Sequence, residues 1–260
     1  MGYDEGARRE ASAIPPVMVF NAQGRGPYVL ACDHASNRIP AEYAALGLSA
    51  SEQLMHIAWD PGALEVALKL SAALDAPLVA STVSRLVIDC NRHHSAPDLI
   101  PVLSERTEVP GNRELSEDER QRRIARYHAP FHAALETVLE ARKSAGQRSV
   151  LATVHSFTPV YKDVARPWPI GLIHGADVRL TERLRDALVA DDPGLNVGWN
   201  EPYSARNGVT YTLEHHGDER GLDCTMIEIR NDEILTPEGI ALWSDRLARC
   251  LGAADKAIET

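Results

Sequence analysis

Apolar residues along the chain fall into two rhythms. Short runs rich in Val, Ile, Leu and Ala recur at 28–33 (YVLACD), 77–82 (PLVAST), 85–89 (RLVID), 149–155 (SVLATVH), 169–175 (PIGLIHG), 195–200 (LNVGWN) and 225–230 (TMIEIR). Several are apolar without alternation, the pattern of strands buried on both faces. Between them, apolar residues take helical spacing over 62–75, 116–146, 176–191 and 236–255. Ser116 and Glu119 form a capping box at the start of the second of these, and Gly146 closes it. Thr236 is placed as an N-cap, with Pro237 at the first helical position. The alternation predicts an α/β fold: one three-layer α/β/α domain with a mostly parallel, mixed sheet over residues 14–260. Residues 1–13, polar and without an apolar core, read as a flexible N-terminal tail.

Composition narrows the function. A chain of 260 residues that is 44% hydrophobic can bury a full core as one domain. A formal net charge of -10 leaves no basic face for nucleic acid or an acidic membrane surface, which points to a small-molecule or peptide ligand. Cys32, Cys90, Cys224 and Cys250 are widely spaced, and three lie in apolar, strand-like runs. They read as reduced core residues of a cytoplasmic protein, not as a disulfide framework or a metal-binding pair. No apolar run approaches the roughly 20 residues a membrane span needs.

In sheets of this kind ligands collect beyond the carboxyl ends of the strands. The first run ends in Asp33-His34, the fourth in His155-Ser156, and the last carries Glu228 and Arg230. The run SRLVIDCNR places Arg85 at its start and Asp89, Asn91 and Arg92 at its end. Two histidines and a glutamate on separate strand ends can converge on one point. Such a group suits a metal hydrolase, with neutral imidazoles as ligands and a carboxylate to take a proton from water. The plainer alternatives stay open at this level: Glu228 on an edge strand would face water, and Arg85 and Arg92 would only pair with Asp89 or Asp98. His93, His94, His128 and His132 read as surface or helix-face residues.

Six ordered motifs carry a resemblance: CDHASNRIP, SRLVIDCNR, VHSFTPVY, RPWPIGLIH, NEPYSARNGVTYTLEHHG and IEIRND. Together they resemble the N-formylglutamate amidohydrolase family, itself similar to zinc carboxypeptidases, over almost the whole chain. The resemblance implies a zinc-carboxypeptidase, phosphorylase/hydrolase-like fold and hydrolysis of an N-formyl or N-acyl amino acid, most simply N-formyl-L-glutamate. It implies Zn²⁺ or another divalent metal held by His34 and His155, with Glu228 as general base and Arg85 beside the developing oxyanion. Asn37 stands where the carboxypeptidase pattern has a ligand Glu, so the third ligand is expected to be Asp60, with Asp33 and Asn37 as rivals. Asp60 could equally cap a helix ahead of Pro61, and Asp33 could orient an imidazole from behind. Asn91 and Arg92 are expected to grip a substrate carboxylate. The segment around 200–216 is expected to form a loop over the pocket, offering Tyr203, Arg206 and His216. Other deacylase or carboxypeptidase-like activities, and a non-catalytic acyl-amino-acid-binding protein, are the alternatives.

Overall fold

The computed structural model describes residues 14–203 and 208–256. The expected tail at 1–13 and Arg206 lie outside the described residues. Among the described residues eleven strands occur in chain order: β1 Val17–Phe20, β2 Tyr28–Cys32, β3 Leu78–Ser81, β4 Leu103–Ser104, β5 Thr107–Glu108, β6 Val150–Phe157, β7 Val160–Tyr161, β8 Val164–Ala165, β9 Ile170–Ile173, β10 Val197–Trp199 and β11 Cys224–Arg230. The α-helices are α1 Ala63–Ala73, α2 Glu117–Arg123, α3 Ala129–Ser144, α4 Arg179–Asp191, α5 Tyr211–His216 and α6 Pro237–Lys256.

Seven strands form one sheet in the order β1-β3-β2-β6-β11-β9-β10. The β3-β2-β6-β11 centre is parallel, and β1 and β9 join it antiparallel. One apolar layer packs α1, α4 and α6 against Leu30, Ala152, Val154 and Ile227. The opposite layer packs α3 and α5 against Val29, Ala31, Leu151 and Met226. A third cluster, including Leu46, Ile57, Leu86, Ile88 and Leu99, lies under the loops beyond the strand ends. That cluster gives those loops a core of their own, which is why they can hold side chains rigidly over the sheet edge.

Strand alternation places the first functional pair. In β6, Val150, Ala152 and Val154 face the α1/α4/α6 layer, so His155 points to the opposite side. Glu228 on β11 is the direct neighbour of His155 in register and shares its face.

Several expected elements changed. The 85–89 run is not a strand but a series of turns, held by Ser84, which donates to Ala58 O and accepts from Leu86 N. The helix expected over 116–146 is interrupted by a π turn at Ile124–His128, because Pro130 has no N–H to offer the carbonyl four residues earlier. The expected caps form, with Ser116 Oγ accepting from Glu119 N and Thr236 Oγ1 from Gly239 N. The segment expected as a loop around 200–216 contains α5. His128 and His132, expected as surface or helix-face residues, lie on helical turns and are buried beneath that helix.

Candidate metal centre

All of the buried carboxylates among the described residues, Asp33, Asp60, Asp89 and Glu228, gather at the carboxyl ends of β2 and β6. His34 leaves the end of β2, and His155 sits near the end of β6. Asp60 reaches both: its Oδ2 lies 3.3 Å from His34 Nδ1 and 3.0 Å from His155 Nδ1. It does not cap α1, whose N-cap is Gly62 with no side-chain bond. Gly62 makes the elbow that aims Asp60 possible, since it has a φ of 81° and any Cβ there would lie 2.4 Å from Ile234 O.

The outer nitrogens of both imidazoles also meet carboxylates. His34 Nε2 bonds Asp89 Oδ1 at 2.7 Å, and His155 Nε2 lies 3.2 Å from Asp33 Oδ2. Arg85 closes a ring of charges, with Nη1 3.3 Å from Asp60 Oδ1 and Nη2 3.2 Å from Asp89 Oδ2. Asp33 therefore stands behind His155, not in the ligand position. Thr212 on α5 donates to the other oxygen of Asp33. Asn37 turns away, donating to Gln53 O at 3.0 Å, and holds no place near the two histidines.

Electrostatics follow from this crowding. Burial alone would depress the imidazole of His155, but Asp33 and Asp60 outweigh it and hold its pKa well above the usual range. His34 is raised for the same reason, against burial and Arg85, by Asp89 and Asp60. Burial would raise the carboxyl of Asp89, yet His34 and Arg85 hold it well below its ordinary value. Glu228 behaves oppositely: burial pushes it up to about 7, only partly offset by His155. Its Oε2 is buried without a hydrogen-bond partner.

A divalent cation fits this donor set. One ligand atom from each of His34, Asp60 and His155 lies within 4.8 Å of the others, all three residues buried. Two imidazoles and a carboxylate are a zinc-type ligand set that leaves a position open. Carboxylates on the far ring nitrogens are how ligating histidines are oriented.

A cavity of about 240 Å³ opens onto this group, lined also by Arg92, Tyr203, Tyr161, Phe157 and Met226. Of the residues expected to bind substrate, Arg92 and Tyr203 face it. Asn91 also borders the cavity, but its side chain is spent on the fold, donating to Val209 O at 2.6 Å and accepting from Thr212 N at 3.0 Å. Its amide cannot grip a ligand without releasing the start of α5. His216 does not line the cavity: it is buried on α5 with Nε2 3.0 Å from His132 Nδ1. Sequence reasoning missed Thr212, Tyr161 and the part played by Asp89. A lone threonine or tyrosine carries no local signal, and in the sequence Asp89 reads only as a partner for arginine.

Imidazoles and carboxylates gathered beyond the ends of parallel strands define the class, a hydrolase scaffold with a buried group able to bind a metal. The chain belongs to the N-formylglutamate amidohydrolase family, whose family model matches residues 26–235. A gene product of Agrobacterium tumefaciens of known crystal structure is 42% identical, with a TM-score of 0.92 over 95% of this chain and 97% of that one. An N-formylglutamate amidohydrolase from Ralstonia eutropha JMP134 shares the fold at 23% identity, with a TM-score of 0.67 over 94% of this chain and 98% of that one. A metallo-carboxypeptidase from Burkholderia cenocepacia aligns with a TM-score of 0.36 at 12% identity, a likeness too slight to define the fold. No curated protein matches the chain in sequence. No helix among the described residues is long and apolar enough to cross a membrane.

Proposed function

We propose that the protein is a metal-dependent amidohydrolase that adds water across the amide bond of an N-formyl or N-acyl amino acid. The simplest substrate is N-formyl-L-glutamate, giving glutamate and formate. The observation that carries this reading is the free oxygen of Glu228, buried beside a histidine, aspartate and histidine group whose outer nitrogens each lie within ion-pair distance of a carboxylate, 2.7 Å for His34 and 3.2 Å for His155.

His34, Asp60 and His155 would hold the ion, which when bound supplies Lewis acidity toward an amide carbonyl and acidifies water. Glu228 takes a proton from the attacking water and passes it to the leaving amine nitrogen. Its burial without a hydrogen-bond partner raises the basicity of this carboxylate, which suits a group that must accept a proton and pass it on. Arg85, pinned by Asp60 and Asp89 with 25% of its side chain still exposed, donates to the oxygen on which negative charge develops. Arg92 faces the same cavity, but its Nε already bonds Asp98 at 2.9 Å. A substrate carboxylate reaches it only in competition with that exposed aspartate.

The test is turnover of a panel of N-formyl and N-acyl amino acids by protein stripped with a chelator and then reloaded with zinc. Stripping is expected to abolish hydrolysis and zinc to restore it, with N-formyl-L-glutamate among the substrates turned over. A zinc-loaded sample that hydrolyses none of the panel overturns the reading.

A further inference from the structure

The cations at the cavity are matched by acids, with one exception beside it. Arg85 faces Asp60 and Asp89, and Arg92 faces Asp98. Arg166 has no such partner: among the described residues no carboxylate lies within ion-pair distance of it, although the residue is only 9% exposed. Residues 204–207, Ser-Ala-Arg-Asn, contain no acidic side chain either.

What surrounds Arg166 is aromatic. Its guanidinium carbon lies 4.6 Å from the ring centre of Tyr161, 4.9 Å from that of Tyr203 and 5.7 Å from that of Phe157. All three rings line the cavity. The backbone of Arg166 is pinned from two sides, its N–H donating to Pro159 O at 2.8 Å and its carbonyl accepting from Arg230 Nη1 at 3.4 Å. Its Nη1 donates to Tyr203 Oη at 3.3 Å. With that oxygen accepting, the phenolic hydrogen of Tyr203 is left to donate.

A guanidinium this enclosed is costly without a counter-charge, and ring faces offset only part of that cost. The remainder is attraction for an anion. A carboxylate entering from the cavity can take the Tyr203 hydroxyl and the fork of Arg166 together, in the charge-assisted geometry that arginine forms best. We propose that Arg166 and Tyr203 form an anion subsite that seats a carboxylate of the ligand at the aromatic end of the cavity. Naming that ligand an acyl amino acid rests on the amidohydrolase reading; the subsite itself does not. The consequence is a preference for acidic substrates over neutral ones of the same length.

The experiment uses the full zinc-loaded chain and the variants Arg166→Met, which keeps an apolar stem between the rings, and Tyr203→Phe, which keeps the ring. Calorimetry with L-glutamate reads the subsite without turnover. Arg166→Met is expected to weaken that binding by about ten- to a hundredfold and Tyr203→Phe by about two- to tenfold. In kinetics, the KM of N-formyl-L-glutamate should rise with Arg166→Met by the same factor while kcat changes little. N-formyl-L-glutamine lacks the side-chain charge and N-formyl-4-aminobutanoate lacks the α-carboxylate. For whichever of them has lost the seated carboxylate, wild type and Arg166→Met should share one KM. If Arg166→Met fails to fold by its melting curve, Tyr203→Phe carries the test. Folded variants that bind L-glutamate as the wild type does overturn the subsite, as does a wild type that does not bind it. A wild type that binds L-glutamate through Arg166 but hydrolyses no acyl amino acid overturns the amidohydrolase reading and leaves the subsite standing.

Discussion

Two buried histidine pairs, His34 with His155 and His132 with His216, sit in opposite electrostatic surroundings. In both the ring centres are 5.2 Å apart. The first pair does not bond directly: Asp60 lies between the inner nitrogens, Asp89 bonds the outer nitrogen of His34, and Asp33 lies 3.2 Å from that of His155. The second pair bonds ring to ring at 3.0 Å, with the far nitrogen of His132 on Cys90 O and that of His216 without a partner. Burial drives His132 and His216 down to about 3, reinforced by neighbouring histidines, so they stay neutral at ordinary pH. The same burial acts on His34 and His155, but carboxylates reverse it. What separates a pair suited to hold a metal from a packing pair is therefore the acids around it, not the depth of the imidazoles.

Metal content breaks the comparison most directly. His155→Ala is expected to reduce bound metal from about one ion per chain to background, whereas His132→Ala should retain it. Elemental analysis after desalting measures both, and equal metal content in the two variants would remove the distinction. Melting curves belong alongside, because loss of a ligand also weakens folding.

Glu228 sharpens it at the level of turnover. Glu228→Gln keeps the shape of the side chain and removes the proton acceptor, so hydrolysis should fall by roughly 10² to 10⁴-fold with metal content unchanged. Wild-type rates in this variant would assign proton transfer elsewhere.

A smaller effect is expected one layer out. Thr212→Val removes the hydroxyl that holds Asp33, and with it part of what orients His155. Zinc affinity, read by chelator competition, should weaken by about ten- to a hundredfold, and Thr212→Ser should recover most of it. A valine variant with unaltered affinity would make Thr212 a packing residue only.

The packing pair makes its own, smallest prediction, in pH. His132 and His216 titrate near 3 in the folded chain and near 6.5 when unfolded, so between those values the unfolded state binds more protons. Stability contributed by each group is complete above about 6.5 and is lost as pH falls toward 3, by at most about 1.4 kcal/mol per pH unit. His216→Gln removes one of these groups and should flatten that slope in urea unfolding measured at pH 7, 6 and 5. An unchanged slope would mean that other groups set it.

Much of this site could be read before folding was considered, because strand ends announce themselves. His34, His155 and Glu228 each lie in or follow an apolar run, although only the register of β6 with β11 puts the last two on one face. Asp60 was reached only through the family resemblance, since Trp-Asp-Pro-Gly reads just as well as the start of a helix. Asn91 shows the other side: beside Arg92 it reads as half of a carboxylate grip, and nothing local announces that its side chain also ties Val209 and Thr212 at the start of α5. The 85–89 run misled, because five residues with apolar centres satisfy a strand pattern and a buried turn alike.

The sequence by itself determined the alternation of strands and helices, the caps at Ser116 and Thr236, and which ends of which strands carry chemistry. These depend on periods of a few residues and on side chains acting on their own backbone. Only the tertiary structure decided which groups face one another. Thr212 meets Asp33 across 179 positions, His155 meets Asp60 across 95, and Arg166 meets Tyr203 across 37. Such pairings are set by how the loops pack over the sheet edge around their own apolar cluster, and no local propensity encodes that packing. Within that packing His34, His155, Asp60, Asp89 and Arg85 each find an opposite or a hydrogen-bonding neighbour, because a buried charge left alone costs more than the order needed to pair it.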